Sequence, residues 1–374
     1  MDSQFIPLGK FIRNAIKIFV QYSYGMDNRR GIVGRCHGCS FCDVISVKNI
    51  FSAWKEFSYG KKSNKGVAKF ELNLEDNLFR LHDELTAGEF KLHPYKVCIV
   101  QDPKRRVIHI ASVRDRILFH AIYRKLYHLF DSMFIHDVYS SRVQKGTHAG
   151  INRLEVFLRK VSKNYSQPAF VLKCDIRKFF DTIDQNILIN LISKQVTDVK
   201  LLNLIEKIIE SFAHTVGKGV PLGNVTSQLF ANIYMNPFDQ FIKHILKIKY
   251  YIRYCDDFVI VDSRECVLRS LIPIISNFVK NELKLDLHPR KTEIRKLNQG
   301  SDFLGSVSLP HYRVLRTSTK NRMLKNIINI RSKYEQGLVS KDKFVNTVSS
   351  YLGMLKHCKG KVIKNKIKRI LLNN

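Results

Sequence analysis

Two adjacent carboxylates, Asp256 and Asp257, lie between two apolar runs and constrain the fold of this chain more than any other feature. Residues 249–253 precede Tyr254 and Cys255, and residues 258–261 follow. Both runs are rich in Val, Ile, Tyr or Phe, and a pattern of run, turn and run predicts a β-hairpin. The tip would present two anions, whose repulsion is costly without a cation. Hard oxygen ligands of this kind suit Mg²⁺, so the sequence predicts either a divalent-metal site or an ordinary acidic turn.

A third carboxylate favours the metal site. Asp175 lies at the end of the apolar run 170–176, which predicts another strand. Alone, Asp175 could be a simple helix cap. If its strand shares a sheet with the acidic hairpin, however, Asp175 can face Asp256 and Asp257. Three such carboxylates could hold two metal ions about 3.5–4 Å apart, an arrangement that stabilises the attacking and leaving oxygens of phosphoryl transfer.

The charge balance points to a polyanionic partner. The formal net charge is +31, from 63 Lys and Arg against 32 Asp and Glu. Such an excess favours nucleic acid as the partner. A membrane surface is the competing polyanion, but no apolar run reaches about 18 residues, so we expect no spanning helix and no membrane partner. Residues 11–22 predict an amphipathic helix rather than a signal sequence.

The cysteines indicate a reducing environment. Eight cysteines in a chain of this size show no disulfide framework, which predicts a cytoplasmic protein. Cys36, Cys39 and Cys42 have spacing that could bind zinc if another residue supplied a fourth ligand. No second Cys-x-x-Cys pair is present. We therefore leave zinc out of the predicted sites.

The rest of the sequence predicts a mixed protein of two or three lobes, because 374 residues exceed one typical domain. Hydrophobic periodicity and turn residues predict helices over 75–85, 114–130, 184–193, 199–212 and 226–246, and strands over 95–100 and 107–110. From His311 onward the sequence predicts helices with strongly basic faces. This imbalance favours contact with a phosphate backbone over a merely solvated surface.

Taken in order, these segments resemble the reverse transcriptases over about residues 95–357. Residues 175–181 look like the first palm motif, and Tyr254 to Asp257 resemble the family's Tyr-x-Asp-Asp signature. Residues 288–293 and 303–305 are similar to the two motifs that follow. The resemblance implies an α+β right-hand polymerase with an antiparallel palm sheet. Its predicted parts are a basic N-terminal extension (1–70), fingers (71–169), a palm (170–310, with a helical fingers insertion at about 185–220) and a small basic helical thumb (311–374).

The resemblance also implies site residues and ligands. Asp175, Asp256 and Asp257 would be catalytic and would bind two Mg²⁺ ions, or Mn²⁺, with help from the Ile176 carbonyl. Residues implied to bind the incoming nucleotide are Lys104, Arg106, Phe180, Gln228 and Lys291. Residues implied to contact template or primer are Arg142, Tyr254 and Gly305. Phe180 would exclude a 2′-hydroxyl by steric contact; its alternative role is core packing.

One segment resembles a particular clade. Residues 220–228 end in Ser227-Gln228, where most reverse transcriptases have Ser-Pro, and this form is similar to the diversity-generating retroelement enzymes. Those enzymes copy a template RNA with errors directed to adenines. The implied function is an RNA-directed DNA polymerase with template RNA, primer or cDNA, dNTPs and an accessory protein as partners. The alternatives are an anti-phage defence reverse transcriptase that uses a dedicated non-coding RNA, and a non-catalytic RNA-binding protein.

Overall fold

The computed structural model describes residues 39–101 and 105–372. The chain forms two compact units, each built from several separate segments. The first contains the described residues up to Ser141 together with Ile176–Lys249 and Ile275–Leu287. The second contains Arg142–Asp175, Tyr250–Ile274 and the described residues from His288 onward. Helices and antiparallel strands occur together, which confirms the predicted α+β class.

The first unit is mainly helical. Its elements are α1 (Phe41–Ile45), α2 (Val47–Ser58), α3 (Lys65–Glu71), α4 (Leu74–Thr86), β1 (Lys96–Val100), β2 (Arg106–Ile110), α5 (Val113–Asp131), α7 (Phe179–Thr182), α8 (Gln185–Ser193), α9 (Val199–Glu210) and α10 (Val225–Gln240), which continues as a π-helix (Phe241–Ile245). β1 and β2 form an antiparallel hairpin. The predicted helices and both strands are therefore confirmed, with ends shifted by a few residues; the predicted helix 226–246 changes to π geometry after Gln240.

Helix α5 forms the centre of this unit. Its side chains at helical spacing, including Ile117, Ala121 and Ile122, are fully buried. α2 and α10 pack against α5, and α10 also packs against α8. Ser112 caps α5 by accepting a hydrogen bond from the backbone N–H of Asp115 at 3.1 Å, which satisfies a donor that the helix leaves unpaired. The described part of the predicted N-terminal extension thus contributes α1 and α2 to a packed core.

The second unit contains two antiparallel sheets. Its elements are α6 (Thr147–Val161), β3 (Phe170–Asp175), β4 (Tyr251–Tyr254), β5 (Asp257–Asp262), β6 (Glu293–Lys296), a 3₁₀ turn (Leu297–Gln299), β7 (Ser301–Phe303), β8 (Ser306–Leu309), β9 (Tyr312–Leu315), α12 (Thr317–Glu335), α13 (Lys341–Leu355) and α14 (Lys361–Leu372). One sheet has the order β4-β5-β3-β6 and the other β7-β8-β9. α11 (Glu265–Leu283) begins in this unit and ends in the first.

Buried side chains hold each layer of this unit together. α6 packs against β4 and β5. The last three helices share an apolar cluster of Leu315, Met323, Ile327, Leu355, Ile363 and Ile367. The expectation of helix from His311 is wrong for residues 312–315, because this stretch pairs with β8 as strand β9 before the helices begin. The boundaries of fingers, palm and thumb stay predictions.

Apolar helix length bears on the membrane question. In the described ranges, no helix combines the length and hydropathy that crossing a bilayer requires. The predicted amphipathic helix at residues 11–22 lies outside the described residues.

Candidate active site

The acidic hairpin forms as the sequence predicts. β4 and β5 pair antiparallel, and a two-residue turn of Cys255 and Asp256 joins them. Cys255 adopts a left-handed backbone with φ of +57°, which tight hairpin turns require. Asp256 therefore lies on the turn, and Asp257 begins β5 opposite Tyr254. The Tyr254 hydroxyl lies 3.5 Å from the Thr147 hydroxyl oxygen at the start of α6.

Strand pairing places two of the three carboxylates opposite each other. In the β3–β5 ladder, Asp175 is the direct partner of Asp257. Side chains at directly opposed positions lie on one face of the sheet with Cβ atoms about 4.5–5.5 Å apart. Like charges in such a position destabilise a sheet, so the arrangement needs a compensating cation.

Asp257 occupies an environment that disfavours its charge. Burial raises its pKa to about 7; Lys173 opposes this shift, while Asp175, Asp256 and Asp302 add to it. Although 20% of the Asp257 side chain is accessible, its Oδ1 atom is buried and has no hydrogen-bond partner. A buried acceptor without a partner is costly. An orphaned carboxylate oxygen beside other carboxylates therefore fits a divalent cation that prefers oxygen ligands.

Lysines partly neutralise the carboxylates in this structure. The Lys291 ammonium donates to Asp175 Oδ1 at 2.7 Å. Across residues 39–101 and 105–372, no three His, Cys, Asp or Glu side chains converge closely enough to hold an ion. The Asp175 carboxylate is thus directed to an ammonium in this structure, and the metal-binding role of the three carboxylates stays a prediction. A divalent ion bound to Asp175 would compete with Lys291 for the same oxygen.

A chain of alternating charges leads away from Asp257. Lys173 Nζ lies 4.0 Å from Asp257 Oδ2 and 4.0 Å from Asp302 Oδ2. Arg316 Nε in turn donates to Asp302 Oδ1 at 2.8 Å. Sequence reasoning missed these residues. One signal was present for Lys173, because it lies two residues before Asp175 and strand alternation places both on the same face.

A buried arginine supports the acidic turn. Arg253 has no accessible surface, and its Nη1 donates to the backbone carbonyl of Cys255 at 2.9 Å. A charge-assisted hydrogen bond of this kind fixes the turn that carries Asp256. The signal for Arg253 was a charged residue inside an apolar strand, and the sequence interpretation did not use it.

Ile176 lies directly after β3. Its side chain is buried, and it forms an isolated antiparallel bridge with Leu287. The flanking backbone hydrogen bonds use the carbonyls of Asp175, which accepts from His288 at 2.7 Å, and Asp286, which accepts from Arg177 at 2.9 Å. Neither bond uses the Ile176 carbonyl, the atom predicted to bind metal.

Two further predicted contacts belong to the same unit as the carboxylates. Gly305 lies in the β7–β8 turn with φ of +84°, and its carbonyl accepts from the Arg316 N–H at 3.0 Å. Arg142 precedes α6 and is half-buried. Their predicted roles toward template and primer stay predictions.

Three of the predicted nucleotide-binding residues, Phe180, Gln228 and Arg106, belong to the other unit. Phe180 in α7 is half-buried, with its ring 5.4 Å from that of Phe179. Gln228 is exposed on α10 and accepts a hydrogen bond from the Ser141 hydroxyl at 2.9 Å. Arg106 is the exposed first residue of β2. Lys104 lies outside the described residues.

Two of the three cysteines with zinc-like spacing belong to the described residues, whereas Cys36 lies outside them. Cys42 is exposed, and burial raises the pKa of the Cys39 thiol to about 11.

Comparison with known proteins places this geometry in context. Residues 100–308 match the family described as "Reverse transcriptase (RNA-dependent DNA polymerase)". The protein YkfC of Escherichia coli K12 is 26% identical over 282 residues, which cover 65% of this chain and 73% of YkfC. The group II intron-encoded protein LtrA of Lactococcus lactis is 24% identical over 47% of this chain but only 30% of LtrA.

A solved structure of similar type is apo telomerase from Candida tropicalis, truncated from its C-terminal domain. It has a TM-score of 0.45 and 14% identity, and the match covers 64% of this chain and 60% of the telomerase chain. The region matched by this chain is therefore less than a third of LtrA and under two thirds of the telomerase chain.

Proposed function

Because this chain belongs to the reverse transcriptase family, whose fold is the right-hand polymerase, we propose that it copies a template RNA into cDNA as an RNA-directed DNA polymerase. The reaction is attack of a primer 3′-hydroxyl on the α-phosphate of a dNTP, with release of pyrophosphate. Template RNA, primer and dNTPs are the proposed partners.

The observation that carries this proposal is the opposition of Asp175 and Asp257 across β3 and β5, with an orphaned oxygen on Asp257. A purely binding role gives no physical reason to maintain carboxylates in mutual repulsion. The net charge of +31 fits a nucleic-acid substrate but does not by itself separate an enzyme from a binding protein.

Asp175, Asp256 and Asp257, with the Ile176 carbonyl, are the residues that would hold two Mg²⁺ ions. When bound, such ions supply Lewis-acid stabilisation of the attacking and leaving oxygens. Within the chain, Arg253 keeps the Asp256 turn in place through its bond to the Cys255 carbonyl. Lys173 limits the repulsion that Asp257 experiences from its acidic neighbours.

Other side chains would bind and select the nucleotide and the strands. The Lys291 ammonium, which neutralises Asp175 in this structure, would transfer to the triphosphate of the incoming nucleotide. Lys104 and Arg106 would bind the same phosphates, and Phe180 would exclude the 2′-hydroxyl. Arg142, Tyr254 and Gly305 would contact template or primer.

Primer extension tests the proposal. Purified full-length protein is assayed on oligo(dT) annealed to poly(rA), with dTTP and Mg²⁺. Asp256→Asn should reduce extension by roughly a thousandfold, since metal stabilisation is worth several kcal/mol. Asp262→Asn is the matched control, because Asp262 lies at the other end of β5 from the acidic turn. Its Oδ1 accepts a hydrogen bond from the Arg264 backbone N–H at 2.9 Å and lies 3.9 Å from Arg264 Nε.

The control should retain wild-type extension. Full extension by Asp256→Asn would refute the metal-binding role of Asp256, because the carboxylate would then be unnecessary for nucleotidyl transfer. Wild-type protein that binds the primer–template but extends no primer on any RNA template would refute the enzyme proposal and favour the RNA-binding alternative.

For the biological role we propose a diversity-generating retroelement, on the strength of Gln228 and its flanking motif. The test is sequencing of cDNA from cells that express the protein with its native flanking DNA, against Asp256→Ala. Substitutions concentrated at template adenines would support diversification. Faithful or repetitive cDNA from one structured RNA would instead indicate the defence role.

A further inference from the structure

A cationic cavity lies in the second unit, and its lining includes none of Asp175, Asp256 and Asp257. It has a volume of about 670 Å³ and lies among the end of α6, the loop at residues 163–165, the β8–β9 turn and the segment after α13. The β8–β9 turn is at the opposite end of β8 from the Gly305 turn. Its volume falls in the range of about 300–1,000 Å³ that accommodates an organic ligand rather than a small ion alone.

The cavity holds more positive charge than its single carboxylate can neutralise. Glu155 is already engaged, since it accepts from Arg313 at 2.6 Å and from the Ser308 hydroxyl at 3.3 Å. Three other cations line the same cavity: Arg159, Lys356 and Lys359. In the described part of the chain, none of these three forms an ion pair.

The positive charge around the cavity also affects the pKa of a nearby histidine, His148. His148 stacks on His357, with ring centroids 4.0 Å apart. Burial lowers the pKa of His148, and the charges of His357 and Arg313 lower it further. The surroundings of His357, which lines the cavity, therefore disfavour an added positive charge and would favour an anion.

Aromatic rings accompany the cations. Lys359 Nζ lies 4.8 Å from the centre of the Tyr312 ring, and Tyr312 is 45% exposed. Tyr165 meets the His311 ring edge to face at 4.6 Å. Cations interleaved with exposed rings suit a single-stranded nucleic acid, because the bases stack on the rings while the cations bind the phosphates.

The loop that bears Tyr165 has a costly backbone. Lys163, Asn164 and Tyr165 are consecutive non-glycine residues with φ of +47°, +57° and +67°. Such left-handed conformations persist only where the surroundings enforce them, and they concentrate at functional sites. The fully buried Ser162 enforces this one, because its hydroxyl accepts from the Tyr165 N–H at 2.9 Å and donates to the Leu158 carbonyl at 2.7 Å.

We propose that this cavity anchors an unpaired segment of the template RNA, with its phosphates on Arg159, Lys356 and Lys359 and a base against Tyr165 or Tyr312. The inference rests on the proposed function, since it assumes that the chain works on RNA. It adds a second RNA contact to the one that the catalytic site would make. Such a contact would let the enzyme hold one RNA while the duplex product moves.

The first measurement uses the full-length protein and a single-stranded 20-nucleotide RNA probe that carries 4-thiouridine. After irradiation, mass spectrometry should locate crosslinks on peptides that contain Tyr165 or residues 309–313. The complete absence of crosslinks from these peptides in the wild-type protein would overturn the inference. Displacement of the crosslink by millimolar AMP, but not by longer unlabelled RNA, would also overturn it, in favour of a free-nucleotide site.

The second measurement compares two charge-matched double variants, Lys356→Gln/Lys359→Gln in the cavity and Lys341→Gln/Lys343→Gln at the other end of α13. Each single-strand phosphate contact contributes about 0.7 to the slope of log affinity against log salt. The cavity variant should therefore show a slope shallower by about 1.4. Equal effects in the two variants would contradict a specific site.

A third measurement compares two uncharged substitutions of Tyr312, so its result does not depend on a change in charge. Tyr312→Ala should weaken RNA binding by on the order of tenfold, whereas Tyr312→Phe should retain it, since stacking needs the ring and not the hydroxyl. Equal loss in both would argue against stacking. Thermal melts identify any variant that fails to fold.

Primer extension separates this inference from the proposed function. Wild-type protein without any extension would refute the polymerase proposal whatever the crosslinks show. Active protein without cavity crosslinks would refute only the RNA anchor.

Discussion

Lys173 should act as an internal substitute for part of the metal charge, and its removal should make the protein depend more on divalent ions. Its ammonium lies 4.0 Å from both Asp257 and Asp302, and Asp175 and Asp256 also raise the pKa of Asp257. Replacing Lys173 with Met removes the nearby cation but keeps a long apolar side chain. The carboxylates would then repel one another with less compensation.

The magnitude follows from Coulomb's law. Unit charges 4.0 Å apart interact by about 1 kcal/mol at the dielectric constant of water and about 4 kcal/mol at an effective value near 20. The Lys173 and Asp257 side chains are 15% and 20% accessible, so the pair lies between these limits. We expect Lys173→Met to lower the free energy of unfolding by about 2 kcal/mol in the absence of divalent metal.

Urea unfolding at pH 8 measures this change, once with EDTA and once with excess Mg²⁺. The stabilisation by Mg²⁺ should be larger in Lys173→Met than in wild type, because a bound ion then replaces the missing charge and no longer encounters the ammonium. Lys296→Met is the matched control: Lys296 ends β6 of the same sheet and contacts the Phe170 ring at 5.9 Å rather than a carboxylate. Equal or smaller stabilisation of Lys173→Met by Mg²⁺ would refute the reasoning.

Three further outcomes follow from the same geometry. In EDTA, the unfolding free energy of wild type relative to Asp257→Asn should fall by a few kcal/mol as pH rises from about 4 to about 7, because the raised pKa of Asp257 means that the folded state holds a proton that the unfolded state has lost; urea titrations of both proteins at each pH measure this difference, in which the opposing contribution of His120, whose pKa burial lowers to about 4, cancels. Arg253→Met should cost about 1–3 kcal/mol of unfolding free energy in urea, because it removes a fully buried charged donor from the Cys255 carbonyl, whereas Arg264→Met on the exposed loop should cost under about 0.5 kcal/mol. Phe180→Ala should raise incorporation of rNTPs relative to dNTPs in competition assays, and Phe180→Tyr should not; unchanged selectivity in the alanine variant would assign Phe180 to core packing.

Local patterns in the sequence sufficed for the acidic hairpin and for most helices. The β-rich apolar runs on either side of Asp256 and Asp257 predicted β4 and β5, and hydrophobic periodicity predicted α4. The sequence predicted that Asp175 faces the hairpin only if both strands share a sheet, because sequence alone does not reveal which strands are neighbours. The structure shows that β3 and β5 are neighbours and that Asp175 lies directly opposite Asp257.

The charge network could not be predicted in the same way. Asp302 lies in the other sheet, on β7, and Arg316 is the residue that precedes α12. Their approach to Lys173 therefore depends on how separate elements pack. The Lys291–Asp175 pair is similar: both residues were predicted as site residues, but their direct contact was not. Strand β9 was missed because four residues carry too little periodicity to distinguish a strand from the start of a helix.

The pairing of β3 with β5 also determines when the site can form during synthesis. β4 and β5 are joined by a two-residue turn and can pair as soon as both leave the ribosome. β3 is made much earlier, and it waits for its partners while α7 to α10 are synthesised. Contacts between residues so distant in sequence form late, because the loop that separates them must close first. A nascent chain that ends before Asp257 therefore presents β3 with both edges unpaired, since β5 and β6 are not yet made, and such edges are a target for chaperones. Asp175 and Asp257 are consequently brought opposite each other only after β5 has paired with β3.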